Sequence, residues 1–204
     1  MSDAFRAAAV RLGASFQRER VEVARLAEPV LVLAAGPWTE PLARECGVDL
    51  PIRVVGLQML RSDPCEPVLA PTIGSEERPL SFKQLPDGSF YIGGGWPAEV
   101  TSGELSCRVR LDSVEGSWRT ASELVPVLAE RRMAEALCGL EGESLDGVPL
   151  IGWASDRPRL YVAAGFSGHG FQLAPAVGSA VADELLGEEA PQLAQLRPGR
   201  RLTL

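Results

Sequence analysis

Leu160-Tyr161-Val162-Ala163-Ala164, followed by Gly165-Phe166-Ser167-Gly168-His169-Gly170-Phe171-Gln172, is the stretch on which the fold class turns. The first five residues make a largely apolar run of strand length, the pattern of a buried strand. Three glycines then fall within six residues, and the residues after Gln172 predict a helix to about Leu186. Val177, Val181 and Leu185 form its apolar stripe and Gly187 its stop. Pro175 suits the first turn of such a helix, where its missing N–H costs nothing. Glycine lets backbone N–H groups approach a flat or anionic ligand closely, and the helix start adds partial positive charge. A plain strand-to-helix turn explains the same spacing equally well. No Gly-Lys-Ser/Thr follows, so the loop is not a P-loop.

Upstream, Val30-Leu31-Val32-Leu33-Ala34 is a second apolar run, expected to be a strand covered on both faces. It leads through Ala35-Gly36-Pro37-Trp38-Thr39 into a helix from about Trp38 to Cys46, closed by Gly47. Strand, glycine turn and helix, twice over, is α/β grammar. Residues 3–12 predict a short amphipathic helix, with Phe5, Ala8, Ala9 and Leu12 on one face. Val21 and Val23 alternate with charged neighbours as a short strand does. The middle of the chain reads differently. Ile52–Leu60 is β-like, and 61–79 is Pro-rich and irregular. Leu80–Leu85 and Ser89–Ile92 flank Pro86-Asp87-Gly88, a strong hairpin signal. Residues 103–117 fit no single pattern; Ala121–Arg132 predicts a helix and Met133–Leu140 a strand. The tail after Glu188 is expected to be loosely ordered. The expected class is α/β and α+β: an α/β frame with a mostly antiparallel unit inserted.

Composition excludes several functions. The 204 residues are 46% hydrophobic and 23% charged, which suits one large domain or two small interleaved ones. A net charge of -7 with no basic run argues against nucleic acid as a partner. His169 is the single histidine, so a His-rich metal site is impossible and any Ser-His-acid triad must use it. Ser167 and His169 are too close in sequence for a nucleophile pair, and no elbow motif is present. Cys46, Cys65, Cys107 and Cys138 show no C-x-x-C spacing, which disfavours zinc, a thioredoxin-type motif or a disulfide framework. The chain is therefore expected to be metal-free, reduced and cytoplasmic. No run of eighteen apolar residues predicts a transmembrane segment, and the N-terminus lacks a secretory signal pattern.

The motifs carry a resemblance. Leu160 to Gly178, quoted above and continuing Leu173-Ala174-Pro175-Ala176-Val177-Gly178, resembles the C-terminal flavin-contacting signature of the FAD-dependent D-amino-acid oxidase superfamily. Val32-Leu33-Ala34-Ala35-Gly36-Pro37-Trp38 resembles that family's strand and glycine turn near FAD. Cys138-Gly139-Leu140-Glu141-Gly142, with Asp146 to Gly152 after it, resembles its segment over the flavin ring. Three ordered motifs across residues 32–178 make a specific match. Ser81-Phe82-Lys83-Gln84, Asp87-Gly88 and Ile92-Gly93-Gly94-Gly95 narrow it toward flavin subunits of hydroxyproline, proline, opine and cyanide-forming glycine dehydrogenases.

The resemblance implies a role for each matched residue. FAD is the implied cofactor, held by Ala35, Gly36, Trp38, Gly139, Leu140, Gly165, Phe166, Ser167, Gly168, His169, Gly170, Phe171 and Gln172. Trp38 is also read as a core residue. His169 is implied to donate to the flavin or to stabilise its reduced anion. The implied substrate is a small amino acid or amine, oxidised at its C–N bond, with Gln84, Trp96 and Glu141 as contacts. Glycine-oxidase-like members carry Arg where this chain has Glu141. Glu141 therefore either holds a substrate ammonium or pairs with an arginine of the frame. No catalytic acid or base is implied, because the flavin carries the hard chemistry. Residues 1–48 and 140–204 are expected to form the FAD-binding frame, and 49–139 the substrate domain. The family's N-terminal βαβ unit with G-x-G-x-x-G is absent from these residues. That unit would hold on the order of twenty-odd heavy atoms of FAD, about 7 kcal/mol or five powers of ten in affinity. Two further readings follow: a non-catalytic remnant, or the complementing half of a split flavoenzyme with an N-terminal partner subunit.

Overall fold

The computed structural model describes residues 2–75, 77–101, 103, 105–154 and 157–202. In chain order the elements are α1 (Ser2–Arg11), β1 (Leu31–Leu33), α2 (Thr39–Glu45), β2 (Ile52–Ser62), β3 (Ile73–Ser75), β4 (Leu80–Gln84) and β5 (Phe90–Gly93). They continue with β6 (Pro97–Thr101), β7 (Ser106–Arg108), α3 (Leu111–Leu124), β8 (Met133–Ser144), β9 (Leu150–Ala154), β10 (Arg157–Ala164) and α4 (Gly170–Leu185). A three-stranded sheet has the order β1-β10-β9, with β1 parallel and β9 antiparallel to β10. A seven-stranded antiparallel sheet runs β3-β4-β5-β2-β6-β7, and β8 pairs along the length of β2. This is the mixed α/β and antiparallel architecture that the residue pattern implies.

The small sheet is covered on both faces. Leu160, Val162 and Ala164 point to a core with Leu31, Leu33, Ala43 and Leu50, while Tyr161 points to one with Ala180, Val181 and Leu193. β1 departs from expectation: Leu31 and Leu33 are buried but Val32 is 43% exposed, so only one face of that strand is covered. The large sheet has one closed face. Gly56, Gln58, Leu60 and Ser62 of β2 alternate inward, and Leu60 packs with Phe82, Phe90, Ile92, Val114 and Ala121 under α3. Each of the large side chains contributes roughly 1.5–3 kcal/mol by leaving water. The alternate residues of β2 and β8 point to the other face, which no helix of this core covers.

Several expectations shift. The helix expected over Ala121–Arg132 begins at Leu111 and ends at Leu124, and a 3-10 turn follows over Pro126–Glu130. Pro126 disfavours the α conformation at Val125, whose φ is -125° and ψ 89°. Val23–Arg25 is a 3-10 turn, not a strand. The stripe on α1 is not buried: none of its residues is. α4 starts at Gly170, so Pro175 lies inside the helix, past its first turn. The tail is anchored. Leu193 is buried, and Arg200 donates to Asp146 Oδ1 at 2.8 Å and to the carbonyls of Val148 and Pro149 at 2.7 and 3.1 Å.

Candidate functional site

The three motifs converge. The Ala35–Trp38 turn packs against β8 so closely that a Cβ at Gly142 would lie 3.0 Å from the Gly36 carbonyl oxygen. On the outer edge of β8, Phe166 bridges Glu143, and the Gly168 N–H donates to Glu141 Oε1. One strand thus collects the glycine turn after β1 and the glycine loop after β10.

The loop's backbone is unusual. Ser167 and Gly168 both take positive φ, 49° and 86°. A Cβ at Gly168 would meet nothing within 4 Å, so the loop is open on that side. The first main-chain bond of α4 runs from the Leu173 N–H to the His169 carbonyl at 3.1 Å. The N–H groups of Gly170, Phe171 and Gln172 precede it and have no helical acceptor. The positive end of a sixteen-residue helix therefore opens beside Gly168. His169 Nδ1 sits 2.8 Å from the Ser167 carbonyl oxygen. A carbonyl only accepts, so Nδ1 carries the proton; in neutral His169 the other nitrogen, Nε2, is then an acceptor. Donation from the ring to a ligand requires the imidazolium.

The open face of the large sheet begins at Glu141, the loop's contact on β8. Leu57 pairs with Gly139 and Met59 with Leu137, and Val55 pairs with Glu141. Residues directly opposed in an antiparallel pair share a face, so these six side-chain positions lie on one strip. Met59 is 43% and Leu137 41% exposed, and a Cβ at Gly139 would meet nothing within 4 Å. A cavity of about 330 Å3 runs along this strip and ends at Glu141. Glu141 forms no ion pair with an arginine among the described residues; its recorded partner is the Gly168 N–H. The strip's apolar members were not singled out by sequence reading. Their period-two alternation on β2 and β8 was the available signal.

Other expected site residues stand apart. Gln84 lies on the closed face, since it pairs with buried Phe90. Its amide is spent on the neighbouring segment: Oε1 accepts from the N–H groups of Val68 and Leu69 at 2.8 and 3.1 Å, and Nε2 donates to the carbonyls of Glu66 and Gly88, both at 3.0 Å. Trp96 is packed on α3, where a Cβ at Gly116 would overlap its ring, and its indole N–H is buried without a partner among the described residues. Neither side chain joins the strip. Trp38 is 49% exposed beside β8, so it is not a core residue, and Phe171 at the start of α4 is 71% exposed. Leu140 pairs with Gly56 on the closed face, one residue from Glu141.

Two nearby groups have displaced proton affinities. Burial pushes the Asp146 carboxyl up, but hydrogen bonds from Arg200 and the Val148 N–H outweigh it and hold the group below its ordinary value. This ion pair pins the turn that carries β8 into β9. Burial, with a contact to the Cys138 thiol, pushes the Cys107 thiol up to about 11. Among the described residues, no cluster of His, Cys, Asp and Glu suits a metal ion, and no helix is long and apolar enough to cross a membrane.

Chemically, the arrangement offers orphan N–H donors and a helix dipole on one side and an apolar strip on the other. Donors of that kind suit a flat ring with an electron-rich edge. Comparison with known proteins points the same way. The family of FAD dependent oxidoreductases (DAO) matches residues 2–184. Glycine oxidase from Pseudomonas putida is 28% identical over 164 residues, covering 80% of this chain and 43% of that protein. The crystal structure of glycine oxidase from Geobacillus kaustophilus superposes with a TM-score of 0.75 at 24% identity, over 85% of this chain and 46% of that one. L-proline dehydrogenase from P. horikoshii gives 0.75 at 23% identity, over 83% and 46%. The chain spans less than half the length of each of these relatives.

Proposed function

Since the chain belongs to the FAD dependent oxidoreductase (DAO) family, we propose that it forms the ring-facing part of a flavoenzyme that oxidises the C–N bond of an amino acid or secondary amine. The observation that carries this reading is the loop from Gly165 to Gln172, with an open glycine and helix N–H groups free of helical acceptors, which bonds through Gly168 to Glu141 at the end of the apolar strip. FAD, when bound, supplies the acceptor for the hydride leaving the carbon beside the amine nitrogen. Gly170, Phe171 and Gln172 would hold the ring edge through their N–H groups, and Gly168 would leave room for it. Gly139 would leave room for the ring, and Leu57, Met59 and Leu137 would keep water from the reacting carbon. His169 would stand beside the ring edge with its Nδ1 held by the Ser167 carbonyl.

The division into a frame, residues 1–48 and 140–204, and a substrate domain, residues 49–139, is part of the proposal. Separate cores under β10 and under α3 support it, and β8 runs continuously across the boundary. The pyrophosphate end of FAD finds no G-x-G-x-x-G among these residues. We propose that it is held by a dinucleotide-binding unit outside them, either on the same polypeptide or on a partner subunit. The free edge of β1 and exposed Val32 support that placement. The test is a fluorescence titration of FAD with the purified chain. Saturable quenching that is lost in Gly168→Val supports the reading. A folded chain that leaves the fluorescence of FAD and of saturating riboflavin, which needs no adenylate site, unchanged overturns it and favours a non-catalytic remnant.

A further inference from the structure

We infer that the strip on the open face of the large sheet, ending at Glu141, takes an amine cation with an apolar body and turns away a free α-carboxylate; the inference rests on the flavin-site reading above. Leu57, Met59, Leu137 and Gly139 give the floor no polar side chain at all, and Glu141 closes one end with a negative charge. Its Oε1 is taken by the Gly168 N–H, while Oε2 has no hydrogen-bond partner among the described residues.

The positive groups around this face are already engaged or lie outside the strip. Arg53, on the row beyond Val55 and Glu141, is held by Glu143 at 2.9 Å. Arg61, on the row beyond Met59, is held by Asp87 and lies over Tyr91. Arg78, at the rim beyond Ser81, is held by Glu123 at 2.7 Å. Lys83 shares the Tyr91 row, two strands from β2. His169 commits Nδ1 to the Ser167 carbonyl. Arg108, on β7 and two strands from β2, stands opposite Glu99. Among the strip's own side chains the one formal charge is that of Glu141, and it is negative. An ammonium gains from that charge. A carboxylate beside it is repelled and is buried on an apolar surface without a donor. The cavity of about 330 Å3 is at the small end of ligand sites, which suits a single small body.

The methionines give a direct probe, because there are only three, Met1, Met59 and Met133. The full chain, labelled with 13C at the methionine methyls, is titrated with 2-phenylethylamine and with L-phenylalanine, which share an apolar body and an amine and differ by the carboxylate. The expected result is a saturable shift of the Met59 methyl, with an apparent Kd at least about tenfold lower for 2-phenylethylamine, and an unmoved Met133. Glu141→Gln should bring the two ligands within about twofold, and Glu141→Arg should reverse their order. Equal or tighter binding of phenylalanine, a Met59 signal that neither ligand moves, or an unchanged ratio in a folded Glu141→Gln chain overturns the inference. FAD quenching is scored separately. A chain that binds flavin but prefers phenylalanine loses this inference alone, and one that ignores flavin loses the reading beneath it.

Discussion

Replacing Gly168 with alanine separates the two jobs of the glycine loop. Gly168 has φ 86°, where an L-residue costs about 1–2 kcal/mol. A Cβ there meets no atom within 4 Å, so no packing penalty adds to the backbone term. For a chain of this size that is a fall in Tm of roughly 2–8 °C. The same Cβ projects from the side on which the ring would sit, so FAD affinity should drop at least about tenfold, or 1.4 kcal/mol. Gly165→Ala is the internal control. Its φ is 72°, and its Cβ would lie 3.1 Å from that of Ser144, so backbone and packing penalties combine. It should lose more stability than Gly168→Ala. The assay pairs thermal unfolding with flavin fluorescence on the same preparations. A Gly168→Ala chain whose Tm falls as expected while its FAD affinity stays within twofold of the parent refutes the placement of the ring.

Arg200→Ala strands the buried Asp146 carboxylate, so stability should fall by about 3–5 kcal/mol in denaturant unfolding. The Asp146 carboxyl is held below its unfolded value, so its contribution is present above about pH 4 and is lost as pH falls through the lower folded value; Arg200→Ala should therefore flatten the acid limb of the stability curve, and an unchanged limb counts against the clamp. Cys107, pushed up to about 11, should be alkylated more slowly by iodoacetamide at pH 8 than Cys46, read by peptide mass spectrometry. Gln84→Ala should cost about 0.5–1.5 kcal/mol by removing its bonds to the Val68 and Leu69 N–H groups, which water can then reach. Flavin affinity should be untouched; a rise in KM with no loss of stability would restore Gln84 to the substrate site.

The glycine loop was legible because it breaks a clean pattern: an apolar run, then glycines, then a helical stripe. The matching turn at Ala35–Trp38 was legible for the same reason. The first half of α3 was not. Its buried positions are Ser113, Val114, Gly116, Ser117 and Ala121, small residues that leave no apolar period, and Gly116 is small because Trp96 lies on it. Gln84 and Trp96 were expected as substrate contacts from the family resemblance alone. Strand alternation says that a sheet has two faces but not which one a helix covers, and α3 covers theirs. Glu141 was legible as a departure from the family pattern. Its bond to the Gly168 N–H joins residues 27 apart in sequence and needed the fold to be seen. The Arg200–Asp146 clamp joins residues 54 apart, so the tail read as loose.

The most direct test of where the ring sits uses riboflavin, which has the flavin ring without the adenylate, and a chain labelled with 15N at glycine. If the ring lies between the loop and the sheet strip, the amide signals of Gly139, Gly168 and Gly170 shift together and saturably, while those of Gly187 and Gly199 stay in place. Shifts confined to other glycines, or none at riboflavin saturation, contradict the assignment of this face to the flavin.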